Sequence, residues 1–481
     1  MPDLPYDFLA GLAENPALPA HLLDRLVAAS HRSHNLRYAL ARRPDLTAPH
    51  LDTLIAHDAH AVALSRHLPK PVRRRLAAHP DPSVRTALVV SAAPDEERDL
   101  FERFATDPAP EVRKELAQSD HTPADLRARL AHDPDPEVRA TLGQWWTAAP
   151  EPVRRSLLTD PEGSVRAAAC ATYFCRLPHP VPPADLVPAL LADPLTRAGA
   201  VAHCDPAATD LAGLAADPDP EVRHALAAHP GLPAELRDRL AADPGARVRL
   251  AVFARPDTPA ADRAALYASV TGPFEPPGED VDEETAIELE IDHIQVGIEL
   301  WMLHLPWVTA DPLPHLDSPY PVLRRAAAAS PDLPAAARAR LLADPDNEVA
   351  LAAAGSSPDP IDPTTAERLD REYRPFKPMS WRPADEFPLP VEALRRLAAD
   401  PAPRMRLLAL RDPELPAHLL ERLATDPEAH VRHAAARHPA LAPALLRALL
   451  DDPSPSVHRA AAANPALPAD EARARLDAAG L

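Results

Sequence analysis

A chain of 481 residues that is 46% apolar has the material for a large core, yet 63 of its residues are proline and only 4% are aromatic. Its net charge of −20 argues against a general affinity for nucleic acid or anionic membrane. Three cysteines (Cys170, Cys175, Cys204) are too few for a disulfide framework and suit a reducing cytosol, and neither a signal peptide nor a membrane-length apolar run is visible.

In chain order the proline proves to be placed regularly. NPALPAHLLDRL at Asn15 is the second half of a unit that appears complete as DPAPEVRKELAQSDHTPADLRARL from Asp107. It returns as DPDPEVRATL from Asp133, DPDPEVRHALAAHPGLPAELRDRL from Asp217 and DPGARVRLAVFARPDTPAADRAAL from Asp243. Near the C-terminus follow DPAPRMRLLALRDPELPAHLLERL at Asp400, DPEAHVRHAAARHPALAPALLRALL at Asp426 and DPSPSVHRAAAANPALPADEARARL at Asp452. The unit is about 24–28 residues long and returns about seventeen times.

Each unit predicts two short helices. In DPEAHVRHAAARHP, Asp426 is expected as the N-cap and Pro427 at the first helical position, where a missing N–H costs nothing. Val431, Ala434 and Ala435 share one face, and the helix ends near His438, because a residue before proline avoids the α region. A second helix carries Leu445, Leu446 and Leu449. Helices of about ten residues, ~15 Å long, do not hold alone in water. Stacked, they bury one another's Leu/Ala/Val faces, so the expected fold is an all-α solenoid of two-helix repeats.

Three acids fall within the first five residues of the Asp217 unit, which raises metal binding or acid catalysis. The first acid recurs as Asp107, Asp133, Asp160, Asp217, Asp243, Asp400, Asp426 and Asp452, whereas the third position holds Ala109, Gly245, Ala402 or Ser454 elsewhere. A chelator needs both carboxylates, so the acids read as architecture. Arg113, Arg139, Arg166, Arg223, Arg249, Arg406 and Arg432, each six residues on, read as inter-repeat partners for an Asp or a carbonyl. Histidines such as His79, His229 and His438 in His-Pro turns read as solvated.

The pattern DPxxxVRxxLAxxPxLPxxLLxxLAxD resembles the bacterial leucine-rich repeat variant family, and its DPDPEVR half is similar to HEAT-like repeats. The resemblance covers most of residues 10–267, 321–370 and 391–481. It implies a right-handed superhelix. Some family members carry a cysteine-rich iron–sulfur segment. No cysteine precedes Cys170 here, so no cluster is expected.

Two stretches break the pattern. Repeats fill 1–267, 321–370 and 391–481 of one continuous solenoid, interrupted by inserts at 268–320 and 371–390. In the first insert an acidic Pro/Gly loop precedes AIELEIDHIQVGIELWMLHLPW, where Ile287, Ile291, Ile294, Ile298, Trp301 and Leu305 step by four and three. That predicts a helix of about twenty residues, its apolar face widened by Leu289, Val296, Leu300 and Leu303. It either braces the solenoid or docks a partner. The second insert sets Tyr373, Phe376, Trp381 and Phe387 among Arg371, Arg374, Lys377 and Arg382.

Binding candidates are therefore Trp301, Trp307, Tyr373, Arg374, Phe376, Lys377, Trp381 and Arg382, because Arg and aromatic side chains anchor interfaces. Trp145 and Trp146 read as fillers of a wide inter-helix gap. Cys170, Cys175, His179, His203 and Cys204 match no common zinc spacing, so no metal or other cofactor is expected. No phosphate loop, GxSxG, HExxH or CxxC is present. The expectation is a cytoplasmic, non-enzymatic scaffold for a protein or peptide. The alternatives are an enzyme or sensor gripping a small molecule or nucleobase in its groove, and nucleic-acid binding by an Arg-lined concave face.

Overall fold

A computed structural model describes residues 6–92, 98–171, 173–174, 177–178, 180–273, 283–374 and 381–481. Almost every element among them is a helix, most of six to ten residues, packed in sequential pairs. The exception is a two-residue antiparallel pairing of Tyr173–Phe174 with Leu177–Pro178. The all-α repeat architecture follows from the apolar periodicity. In the unit at Asp217, Val222, Ala225 and Leu226 of the Pro220–Ala227 helix are buried, as is Leu240 of the Ala234–Leu240 helix.

The chain gathers into two compact units. One comprises Met1–Leu126, Ala366–Arg371 and Lys377–Leu481, the other Arg127–Thr365 and Glu372–Phe376.

The start of each repeat is built differently from the expectation above. The residue that caps the helix is the third of the DPDP tetrad, not the first. Asp81, Asp135, Asp219 and Asp346 occupy the N-cap and accept the N–H two residues on, with Pro82, Pro136 and Pro220 at the first helical position in three of them. The helix of the Asp426 unit begins at Ala429, with Glu428 as its N-cap, so neither Asp426 nor Pro427 holds the place expected of it. The physical reason is the first proline. Asp-Pro forms a turn closed by the Asp side chain, which accepts the N–H of the residue two positions later (Asp426 Oδ1 from Glu428 N, 2.9 Å).

The first Asp then carries a second bond. Arg406 grips Asp426 through Nε and Nη2 (2.6 and 2.7 Å) while its Nη1 donates to the carbonyls of Asp400 and Pro401 in its own repeat (3.0 and 3.1 Å). Each Arg thus ties its own turn to the acid of the next repeat. In the first unit the same pairs are Arg85–Asp107 and Arg432–Asp452, while Arg371 reaches Asp400 from a different position and also bonds Glu367. In the second they are Arg139–Asp160, Arg166–Asp193, Arg223–Asp243 and Arg324–Asp344, while Arg197 joins Asp217 to the Leu191 carbonyl. Arg113 donates to the Asp107 carbonyl (2.7 Å), and Asp133 accepts the Asp135 N–H (2.9 Å). The planar fork of Arg pairs with both oxygens of the carboxylate while its remaining Nη1 reaches the turn carbonyls, a spread that the compact ammonium of a Lys does not match.

A second ladder runs through the residue before the mid-repeat proline. Asn464 Nδ2 donates to the carbonyls of Ala436 and His438 (2.7 and 3.0 Å), and Arg255 reaches those of Ala227 and His229 (3.0 and 2.6 Å). His229 and His438 stand at this position and are buried, contrary to the solvated reading, with His438 Nε2 bonded to the Asp412 carbonyl (2.9 Å). Where Ser replaces the long residue, an Arg of the second helix enters instead: Arg73 bonds Ser91 Oγ (3.4 Å), and Arg338 bonds Ser356 Oγ.

Within the first unit this ladder crosses the chain ends. Asn15 Nδ2 donates to the carbonyls of Ala462 and Asn464 (3.3 and 2.8 Å), and Arg43 to those of Ala13 and Asn15 (2.8 and 2.7 Å). The Tyr6–Glu14 helix therefore packs on the Pro455–Ala463 helix as though it were the following repeat. Arg25–Asp477 (2.7 Å) and Arg459–Glu14 pairs flank the joint.

The ladder acids set the response to acid. Burial works against the charge on Asp160, Asp344, Asp426 and Asp452, but the Arg bonds and the turn N–H outweigh it and hold these carboxyls below their ordinary 3.8. At Asp193 the Arg166 bond is the leading cause of the same shift. A depressed folded value means that the unfolded chain takes up protons first as pH falls. The stabilisation is complete above the unfolded value and is lost as pH drops through the folded ones. Burial also holds His203, His224 and His315 below their ordinary 6.5, so a first, shallower loss is expected as pH falls below about 6.5. The ladder acids are expected to add a separate fall of the thermal midpoint from about pH 4 downward, read by circular dichroism, and a midpoint with no further fall there would mean that the Arg–Asp pairs do not stabilise the fold.

Candidate functional site

The first insert contains the feature that departs most from the repeats. The sequence Glu283–Met302 forms one 20-residue helix, as its periodicity predicts. Its orientation is not the one the stepping pattern suggests. At about 100° per residue, Leu289, Asp292, Val296, Leu300 and Leu303 lie on one side and Ile287, Ile291, Ile294, Ile298 and Trp301 on the opposite side. The first set packs inward: Val296 is buried, and Leu300 and Leu303 rest on the repeat core. The second set faces outward, with Ile287, Ile291 and Ile294 at 50%, 48% and 61% exposure and Trp301 and Met302 at 37% and 40%. The helix has two apolar sides, and the described residues cover one.

Polar groups fix which side is covered. Asp292 accepts the backbone N–H groups of Ala246 and Arg247 (2.5 and 3.2 Å). Those are the first donors of the Ala246–Ala254 helix, whose own N-cap is Gly245 and offers no side chain. The insert thus supplies the cap that Asp219 supplies to its own repeat, and a Cβ at Gly245 would sit only 3.7 Å from Asp292 Oδ2. Arg247 bridges Glu221 and Glu299, and Arg325 donates to the Leu300 carbonyl (2.8 Å). Burial pushes His224, beside Glu299, below its ordinary value.

The Arg ladder changes course at this point. Arg249 keeps its own turn (Asp243 and Pro244 carbonyls, 2.7 and 2.8 Å) but meets Ser269 Oγ at 3.1 Å where other repeats present an Asp.

Asp292→Ala is expected to cost about 1 kcal/mol through the lost cap and to loosen the helix from the repeats. Limited proteolysis should then cut between 283 and 302 before the repeats are touched. Adding Gly245→Asp should restore most of the stability without restoring protection of the helix. Equal protection in all three proteins would show that Asp292 does not anchor it.

Trp307, by contrast, is an internal brace. Its Nε1 donates to the Ala254 carbonyl (2.9 Å), with the Arg263 guanidinium 5.1 Å from its ring and His315 edge-on at 5.1 Å. Trp301 bonds Glu348, whose carboxyl is pushed up by burial against the pull of Arg325 and that indole.

The second insert divides similarly. Arg382 donates to the fully buried Asp370 through Nε (2.9 Å) and Nη2, and to the Arg404 carbonyl through Nη1 (3.0 Å). Asp370 also accepts the Ala384 N–H (2.9 Å). Arg382 is therefore held in architecture. Tyr373 is buried, Arg374 donates to the Tyr373 carbonyl (2.9 Å), and Trp381 is half-buried. Phe376 and Lys377 lie outside the described residues, as do Cys175 and His179.

Cys170 is buried, its thiol pushed up to about 12 by burial and by Asp193, and it donates to the Thr196 carbonyl (3.5 Å). Cys204 Sγ sits 4.0 Å from His229 Nε2. Among the described residues no three His, Cys, Asp or Glu side chains converge on a point that could hold a metal ion. Trp146 lies under Arg127 (5.2 Å), while Trp145 is 39% exposed rather than filling a gap. One open depression of about 490 Å³ is lined by Tyr38, Arg42, Ser65, Arg66, His67 and Val90 among others, and neither Trp301 nor Trp381 borders it. No helix among the described residues is long and apolar enough to cross a membrane.

These features define a helical repeat protein, its repeats joined by Asp–Arg pairs and a 20-residue helix exposing an apolar side. The family model of the leucine rich repeat variant matches residues 220–245, the stretch from Pro220 behind the Asp219 cap to the Asp243 turn, so this stretch is similar to that repeat. No curated protein matches the chain.

Proposed function

We propose that this protein is a non-enzymatic scaffold that holds a protein partner, with the outward side of the Glu283–Met302 helix as its docking surface. The supporting observation is that side itself. Five large apolar residues (Ile287, Ile291, Ile294, Trp301, Met302) are exposed along one helix that the chain anchors by polar bonds on its other side. Contiguous exposed apolar patches rimmed by polar residues commonly mark interaction sites. The repeats, read as about seventeen in all and winding right-handed within each unit, form the rigid support. The cytoplasm suits the buried thiols of Cys170 and Cys204.

Capture from native cytosol with the intact chain and with Ile294→Glu tests the reading. Ile294 is 61% exposed, so the variant is expected to fold normally while losing the partners that the intact chain retains. Identical partner lists would remove this helix from the docking surface.

A further inference from the structure

The first unit carries a concave site that shares no residue with the docking helix. The depression of about 490 Å³ lies at the C-terminal ends of three helices, His34–Ala41, Ala48–Ala63 and Pro82–Val90. It opens where Ser65 and Ser91 take the place that Asn15, Arg43 and Asn464 fill elsewhere in the second ladder. Its volume falls in the range of small-molecule sites.

Charge sets what can enter. The chain has 71 acidic residues against 51 Lys and Arg, yet no acid lines the depression, while Arg42, Arg66 and His67 do. The adjacent arginines show how this fold uses a guanidinium that it needs. Arg43 is bonded to Asp45 and to the Ala13 and Asn15 carbonyls, and Arg73 to Ser91 Oγ and the Ser65 carbonyl (3.4 and 3.5 Å). Arg42 and Arg66 are exposed and, among the described residues, bond neither an acid nor a carbonyl.

A cation is favoured at a helix C-terminus for that end's own sake, but these ends are served by other groups. The Arg43 N–H bonds the Leu40 carbonyl (3.0 Å), the Ser65 N–H bonds the Val62 carbonyl (3.0 Å), and Ser91 Oγ donates to the Ala63 carbonyl (2.7 Å). Two hydroxyls add to the donors. Buried Ser65 Oγ accepts the His67 N–H (3.3 Å) and gives its own proton to no described acceptor. The Tyr38 hydroxyl has no described partner either, and its ring rests against His34 at 4.4 Å. Leu64 and the 51% exposed Val90 form an apolar wall. Guanidinium forks with hydroxyl donors match an oxyanion, and the wall matches an apolar body attached to it.

We propose that this depression binds a small organic anion, a carboxylate or phosphate group on an apolar body. Arg42 and Arg66 grip the charged group, and Leu64 and Val90 cover the rest.

Titration calorimetry of the full chain, in phosphate-free buffer at ~50 mM salt, tests this with phenyl phosphate, benzoate, inorganic phosphate and benzyl alcohol. At least one of the two aryl anions is expected to saturate one site per chain, with a Kd between ~0.1 and ~1 mM. The tighter of the two identifies the anionic group. Inorganic phosphate should bind at least fivefold more weakly, and benzyl alcohol should give no heat of binding. Arg42→Gln and Arg66→Gln should each weaken the aryl anion about tenfold, and the double variant should abolish its binding. Arg473→Gln, an exposed arginine that does not border the depression, should change nothing. Val90→Ser should weaken the aryl anion and leave inorganic phosphate unaffected.

No saturable binding of either aryl anion up to ~10 mM overturns the inference. So does binding that survives the double arginine variant, or benzyl alcohol or inorganic phosphate binding as tightly as the aryl anions. A tetra-aspartate peptide that binds where both aryl anions fail would assign the depression to the acidic segment of a protein and overturn the small-molecule reading. Each of these results leaves the docking helix, which Ile294→Glu tests, untouched.

Discussion

Asp426→Ala is expected to destabilise the protein by about 3–5 kcal/mol, several times the ~1 kcal/mol that a lost helix cap costs. The carboxylate accepts two bonds from Arg406 and one from the Glu428 N–H, and both side chains are buried, at 5% and 8% exposure. Its removal leaves a guanidinium in the repeat interface with only the Asp400 and Pro401 carbonyls as acceptors. Asp219→Ala is the internal control. It loses one bond to the Glu221 N–H at an exposed turn (2.9 Å), so about 1 kcal/mol is expected. Urea denaturation of the two variants decides the matter. Equal losses would mean that the inter-repeat bond adds nothing beyond the turn. Arg406→Met combined with Asp426→Leu should recover much of the loss, since a buried pair replaced whole is often neutral.

Gly11→Ala is expected to cost about 2–3 kcal/mol, a large effect for a single methyl. A Cβ at Gly11 would lie 2.3 Å from the Arg459 carbonyl oxygen and 2.8 Å from Ala462 Cβ, so the Tyr6–Glu14 helix would have to back away from Pro455–Ala463. Buried Phe8, Leu9 and Leu12 on the first helix would lose packing with it. Hydrogen exchange should rise first at both chain ends, while the amides of 72–92 stay protected. Gly297→Ala, which meets open space, should instead be neutral or stabilising. Uniform loss of protection across the unit would mean that the joint of the chain ends is no separate weak point.

The sequence made the repeat legible because its proline and aspartate recur at fixed offsets and local turn chemistry decides what they do. It also made the Arg at the sixth position legible as a partner for an acid. What it concealed is division of labour between neighbouring acids. Asp217 and Asp219 look alike in DPDP, and the one that varies among repeats, Asp219, is the helix cap, because a cap is worth little and is replaced freely by Ala402, Gly245 or Ser454. The one that recurs in most repeats ties two of them together. At Gly245 alone among these replacements a carboxylate from elsewhere takes the place of the cap: Asp292, 46 residues from the N–H it serves, which no local pattern in the repeat reveals.

The orientation of the Glu283–Met302 helix was hidden for a related reason. Periodicity finds an apolar side but does not say what covers it. Both sides of this helix are apolar, and only Asp292 and Glu299, polar residues within the inward side, mark the one that meets the repeats. Likewise Trp307 and Arg382 share the composition of an interface anchor but are satisfied within the chain by Ala254 and Asp370.

The bond from Asn15 to Ala462 spans 447 positions of sequence, and it dictates an order of events during synthesis. At roughly 5–20 residues per second, the first helix leaves the ribosome on the order of half a minute or more before the segment it rests on exists. Through that interval the side of the Tyr6–Glu14 helix that meets Pro455–Ala463 has no partner on the nascent chain, while its contacts with the neighbouring His34–Ala41 helix can already form.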